Sequence, residues 1–203
     1  MNVRCFLFTS LIILNLSSCK KERLPSIEKP LENAPSTISY REINQTLKVT
    51  DAHPINLDVN KDGIIDCSYF MQHVISGGKI HMYVGVNPVY GSSTSADPQN
   101  DNEFLNMGLV HALLGDSEIK EDLAWTDNHS LLSVWQEQGN GSKTYWGNWS
   151  NGQDQMMPVR LVIKGKNHYA WVKLKFNKLT EELMILSTAW NTIAQQKIKA
   201  GEI

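Results

Sequence analysis

Trp171-Val172-Lys173-Leu174-Lys175-Phe176 alternates apolar and charged residues, and this period of two decides the fold. Successive side chains of a strand point to opposite faces. Val172, Leu174 and Phe176 therefore share one face and Lys173 and Lys175 the other, as a sheet with one wet face requires. Outward from this stretch, apolar residues recur in short runs at 40–49, 54–57, 67–75, 79–86, 104–110, 142–149, 158–163, 169–176 and 183–190, without helical spacing. Turn chemistry separates the runs. Gly77-Gly78 reads as a tight hairpin, Asn140-Gly141 and Asn151-Gly152 are turn dipeptides, and Lys164-Gly165-Lys166-Asn167 links the strands on either side. Nine short strands predict an all-β fold: an antiparallel β-sandwich, or jelly-roll-like single domain, after a flexible tether. Only residues 109–114 and 117–123 have a pattern that would allow a turn or two of helix, and no repeat at a fixed period is present.

At the other end of the chain, Arg4 precedes an apolar run over residues 5–16, which leads into Leu16-Ser17-Ser18-Cys19. The run is too short to cross a hydrocarbon core of roughly 30 Å, which needs about 20 residues, so it reads as the apolar region of a signal peptide. Small residues directly before a cysteine resemble the bacterial lipobox. That resemblance implies a lipoprotein signal peptide over residues 1–18 and lipidation of Cys19, with palmitate-type acyl chains anchoring the mature protein to the cell envelope, at the outer membrane. Each buried CH₂ contributes about 0.8 kcal/mol, so several acyl chains hold a protein on a membrane without a spanning helix. Residues 19–37 carry Lys20-Lys21-Glu22-Arg23 and then Pro25, Pro30 and Pro35, and read as a tether. At about 3 Å per residue it reaches on the order of 50 Å from the membrane. The β domain occupies residues 38–203.

Nineteen basic against twenty-one acidic residues give a formal charge of −2, and cleavage before Cys19 removes Arg4 and makes it −3. No basic stripe interleaved with aromatics occurs, which argues against nucleic acid as a partner. Cys67 is the one cysteine left beside the lipidated one, so the domain must be held by its core and not by a disulfide. Some 165 residues suffice for that.

The sharpest chemical motif is Asp58-Val59-Asn60-Lys61-Asp62-Gly63-Ile64-Ile65-Asp66. Ca²⁺ takes six to eight oxygens at about 2.3–2.6 Å, and a curled loop with a glycine at its sharp turn points alternate side chains inward. Asp58, Asn60 and Asp62 offer side-chain oxygens, Ile64 its carbonyl, and Asp66 closes the shell. An EF-hand would need a glutamate at the twelfth loop position, where Tyr69 stands, and helical flanks, where strands are read. The spacing is similar instead to the shorter calcium loops of integrin-like propeller blades and thrombospondin type 3 repeats. That resemblance implies Asp58, Asn60, Asp62 and Asp66 as ligands of a structural Ca²⁺ tying two strands together. The competing reading is a plain turn, since Asp and Asn bond their own backbone in loops.

The C-terminal His168-Tyr169-Ala170-Trp171-Val172-Lys173-Leu174, then Ala189-Trp190-Asn191-Thr192 and Lys197-Ile198-Lys199-Ala200-Gly201, resembles a group of uncharacterised secreted bacterial proteins. That group has a Y-G-W strand near its end, with Ala170 here in place of the glycine, and a D-x-N-x-D-G-x-x-D loop near its start. The resemblance implies a secreted β-sandwich and no particular activity.

Six tryptophans invite a glycan-binding reading, because sugar rings stack on flat aromatic faces. Residues 139–155 place Tyr145, Trp146 and Trp149 among Asn, Ser, Gln and Gly, a mixture suited to hydroxyl-rich ligands. Core packing is the competing reading, and is favoured for Trp171 and Trp190. The sequence holds no nucleophile elbow, metal-binding histidine pair or phosphate loop. A glycoside hydrolase needs only two carboxylates that meet in space, so it stays open as a second alternative. The acidic group Asp116, Glu118, Glu121 and Asp122 reads as a solvated face. The leading expectation is a non-enzymatic, calcium-stabilised binding or structural module of the envelope, whose ligand is a glycan or another envelope protein.

Overall fold

Two-residue turns fix the register of the sheet. In the computed structural model, which describes residues 36–97 and 107–203, Gly77 and Gly78 both have positive φ, as do Lys164 and Gly165. Turns of that hand match the twist of the strands they join. The first closes β3 (Cys67–Ser76) onto β4 (Lys79–Pro88), the second β11 (Gln155–Ile163) onto β12 (Lys166–Asn177). The remaining strands are β1 (Ile38–Lys48), β2 (Ile55–Leu57), β5 (Ser93–Asp97), β6 (Gly108–Val110), β7 (Glu118–Ile119), β8 (Trp125–Thr126), β9 (Ser130–Glu137), β10 (Lys143–Trp146), β13 (Glu182–Asn191) and β14 (Ile198–Lys199).

The main sheet runs β1-β13-β12-β11-β5-β6-β9-β4-β3-β2, with β10 added to β9 and β8 to β5. It folds over so that its two halves share one core, a barrel-like sandwich. Leu174, Phe176 and Ile185 from one half meet Tyr69, Val84, Leu132 and Trp135 from the other. The all-β expectation holds, and the described residues lie within the compact unit Pro35–Ile203. One pairing departs from an all-antiparallel sandwich, since β6 runs parallel to β9.

The alternation in β12 does what its period dictates, with a second layer the pattern did not reveal. Val172, Leu174 and Phe176 are wholly buried in the main core. On the opposite face Lys173 and Lys175 stay partly exposed and both pair with Asp154, at 3.2 and 3.4 Å. That face is wet only at this end. Tyr169 and Trp171 are buried beside Ile119, Ile198 and Ala200, contributed in part by the small β7–β14 sheet. Trp171 and Trp190 thus pack as expected, Trp190 partly buried at the edge of the main core.

Several expectations are corrected. The stretches 109–114 and 117–123 form no helix: β6 and β7 fall there, and Leu113 exchanges backbone hydrogen bonds with Met156 at 2.8 and 3.1 Å. A strand edge was available to satisfy those amides, so no helical turn was needed. The strand expected over 142–149 stops at Trp146, because Gly147 turns at φ 92° into a 3₁₀ turn, Asn148–Asn151. Residues 104–106 of the expected 104–110 strand lie outside the described residues. Five strands were not anticipated: the two-residue β7, β8 and β14, and the longer β5 and β9. β9 is buried along nearly its whole length, so it shows no alternation, and β5 is a polar run whose composition favours turns.

Phe176→Ala removes a wholly buried ring from the middle of the main core. Chemical denaturation is expected to show a loss of about 3–5 kcal/mol with little change in m-value, because the cavity collapses only in part.

Candidate functional site

The loop from Asp58 to Asp66 is shaped by its own short side chains. Asp58 accepts from the backbone N–H of Lys61 at 2.6 Å, Asp62 at 3.2 Å and Gly63 at 2.7 Å. Asn60 accepts from the N–H of Asp62, and Asp62 from the N–H of Ile64. Such bonds curl the chain, and Gly63 at φ 90° supplies the conformation that a side chain would strain. Asp66, at the head of β3, is different. It is 6 % exposed and accepts from Val59 N–H at 2.8 Å and from Ser92 Oγ at 3.1 Å. Burial pushes its carboxyl up to about 6, those two bonds pull the other way, and the negative charges of Asp58 and Asp62 push up further. Arg41 of β1 donates to the Asp58 carbonyl, which ties the loop to the far edge of the sheet.

Among the described residues no group of three or more His, Cys, Asp or Glu side chains is gathered as a metal site. The loop's carboxylates also have no ion-pair partner among the described residues. What fits a divalent cation is therefore the uncompensated charge around a buried carboxylate and the donor set of the loop, in which the Asn60, Asp62 and Asp66 oxygens and Asp58 Oδ2 each keep a lone pair beyond one hydrogen bond, while Asp58 Oδ1 already accepts two.

The aromatic candidates separate. Trp149 is wholly buried, and its Nε1–H donates to the Leu174 carbonyl at 3.3 Å. Its ring offers no face to a ligand, so a Trp146/Trp149 platform is excluded. Tyr145 and Trp146 are half-buried in β10, and the Lys178 ammonium lies 4.8 Å from the centre of the Tyr145 ring. The polar residues around them serve the fold. Asn148 Nδ2 donates to the Val110 carbonyl at 2.6 Å, and a Cβ on Gly147 would stand 2.5 Å from the Leu132 carbonyl oxygen. Cys19 lies outside the described residues. Cys67 is fully buried, which pushes its thiol up and keeps it inert.

The acidic face is neutralised by its neighbours. Glu118 pairs with Lys197 and Lys120, and Lys120 also with Asp122 at 3.3 Å. Glu121 accepts from Tyr169 Oη at 2.5 Å, from Asn167 and from Arg160. The Tyr169 bond holds the Glu121 carboxyl below its ordinary value, while burial and the same bond carry the Tyr169 phenol up to about 12.

Sequence reasoning missed an open cavity of about 950 Å³ at the ends of β4, β5, β6 and β8, whose lining includes Trp125, Asp97, Asp127, Asn87, Asn128 and His129. Asp97 is held by a chain of hydrogen bonds: Ser95 Oγ lies 2.7 Å from His111 Nδ1, and His111 Nε2 lies 2.7 Å from Asp97 Oδ1. An ionised carboxylate only accepts, so Nε2 points its proton at Asp97, and Ser95 Oγ contacts the other ring nitrogen. Ser95 itself is wholly buried. No family model, curated protein or solved structure matches this chain.

In EDTA, the Asp66 carboxyl makes stability depend on pH with a sign opposite to that of a salt-bridged acid. Its folded value, about 6, lies above the ordinary 3.8, so between about pH 4 and pH 6 the folded protein holds a proton the unfolded chain has released. Stability from this group is present at low pH and falls as pH rises through that window, by on the order of 2 kcal/mol. Denaturant titrations at several pH values are expected to show this slope in the wild type relative to Asp66→Asn.

Proposed function

We propose that this chain is a bacterial cell-envelope lipoprotein, anchored at the outer membrane through acyl chains on Cys19, whose mature domain is a calcium-stabilised, non-enzymatic binding module. Export and anchoring rest on Arg4, the apolar run 5–16 and Leu16-Ser17-Ser18-Cys19. Among the described residues no helix is long and apolar enough to cross a membrane. The observation that carries the calcium reading is Asp66, a nearly buried carboxylate facing the charges of Asp58 and Asp62 without a cationic partner among the described residues. A bound Ca²⁺ would neutralise that charge and draw on Asp58, Asn60, Asp62, Asp66 and the Ile64 carbonyl. Because Asp66 N–H bonds Leu57 and its carbonyl accepts from Val89, a cation there would brace β2 against β3 and the link after β4. The charge-lined Trp125 cavity favours, as the ligand, a small hydroxyl-rich molecule over a nucleic acid.

Thermal melts of the full-length protein in detergent, in EDTA and in millimolar calcium, test the metal. Occupancy at about 100 times the dissociation constant adds roughly 2.7 kcal/mol. A rise of several degrees that Asp62→Ala abolishes is the expected result, and an unchanged melt with no calcium found by elemental analysis would end the metal reading. Anchoring is tested apart from it. Incorporation of radiolabelled palmitate and recovery in the membrane fraction are expected for the wild type and lost in Cys19→Ser.

A further inference from the structure

We infer that the cavity around Trp125 is a binding site for a neutral saccharide, with the Trp125 indole as the surface on which a sugar ring stacks and Asp97 and Asp127 as acceptors for its hydroxyls. This deepens the binding-module reading and rests on it, but not on calcium.

The cavity is concave and wide enough, at about 950 Å³, for more than one sugar ring, and it mixes one large aromatic with several amide and carboxylate groups. That is the chemistry of a hydroxyl-rich ligand: C–H faces against a π surface, O–H groups to fixed acceptors. Trp125 is held firmly. Its Nε1–H donates to the Lys120 carbonyl at 3.2 Å, and its ring stacks on Tyr169 with centroids 6.0 Å apart and 20° between planes. Asp97 is equally fixed, because Oδ1 is taken by His111, which Ser95 orients in turn. Among the described residues Oδ2 takes no hydrogen bond, so it is the oxygen available to a ligand hydroxyl. An acceptor whose rotamer is set beforehand loses little entropy on binding.

The charge of the lining selects within this class. Among the described residues the lining carries two aspartates and no lysine or arginine, which disfavours uronates, phosphorylated sugars and other anions. An organic cation would be the natural rival for an acidic pocket with a tryptophan. Trp125 already carries the Arg160 guanidinium, 5.3 Å from its ring centre, so choline is included among the probes to decide between the two classes.

Calorimetric titration of the full-length protein in detergent tests the site, with neutral hexasaccharides of the glucan, mannan, galactan and xylan series as probes. Uronate oligomers and choline complete the panel. Binding of at least one neutral series with a dissociation constant below about 1 mM is expected. Asp97→Asn and Trp125→Phe should each weaken it tenfold or more in protein that still melts cooperatively, and Leu179→Ala, in the β12–β13 turn, should not. Should Trp125→Phe prove unstable, Asp127→Asn takes its place. Absence of binding by every neutral series overturns the inference, as does preference for uronates or choline, or binding that survives these substitutions and is lost in Trp146→Ala.

Discussion

Burial of one apolar row, Val172, Leu174 and Phe176 of β12, is the constraint on which the rest of the domain depends. These side chains are fully buried, each contributing roughly 1.5–3 kcal/mol relative to exposure, and they stand in the middle of their half-sheet between β11 and β13. With no disulfide among the described residues, this row and the facing β3, β4 and β9 side chains must hold the two halves together. Trp149 closes the arrangement from the 3₁₀ turn, its indole N–H bonded to the Leu174 carbonyl.

Around this core, the fold spends polar residues where backbone order alone would not suffice. β5 is Ser-Thr-Ser-Ala-Asp, a composition poor in strand formers, yet four of its five residues are buried. Satisfied hydrogen bonds account for part of this: Ser93 Oγ accepts from Arg160, and Ser95 Oγ donates to His111. β5 thereby joins the two halves of the sheet, pairing with β11 on one side and β6 on the other. The Asp97 end of that joint lies at the cavity wall. Close packing there is strict, since a Cβ on Gly108 would stand 2.6 Å from the Asp97 carbonyl oxygen.

Sequence periodicity revealed strands such as β12 that are buried on one side, and missed β9, which is buried on both, and β5, which is held on polar terms. β12 was legible because Lys173 and Lys175 reach solvent between apolar neighbours. β9 was not, because Leu131 and Val134 pack in a cluster with Tyr83 while Leu132 and Trp135 fill the main core, and a strand covered on both faces loses its alternation. The Gly77-Gly78 and Lys164-Gly165 turns were legible because positive φ at consecutive positions restricts residue choice. Helix over 109–114 was a wrong period reading of an apolar run that in fact borrows hydrogen bonds from the edge of β11. The spacing from Asp58 to Asp66 identified a curled loop with Asp66 at its base, while its convergence on a cation lies beyond what spacing alone dictates.

The tryptophans show why a local window misjudges a binding surface. The stretch 139–155 concentrates aromatic, amide and glycine residues, and the structure consumes them internally: Gly147 for a close backbone approach, Asn148 for the Val110 carbonyl, Trp149 for the core. A tight turn packed on a sandwich needs the same residue types as a glycan platform, so composition cannot separate the two. The Trp125 cavity draws instead on Asn87, Asp97, Gly108 and the run from Ala124 to Ser130, four segments that only strand pairing brings together. Trp125 differs from Trp149 in one physical respect. Its indole N–H is satisfied by the Lys120 carbonyl, and its ring stacks on Tyr169 at the second core cluster without sinking into the main core. A tryptophan anchored by its edges beside a concave, carboxylate-bearing wall can present its surface to a ligand; one anchored at the centre of a core cannot.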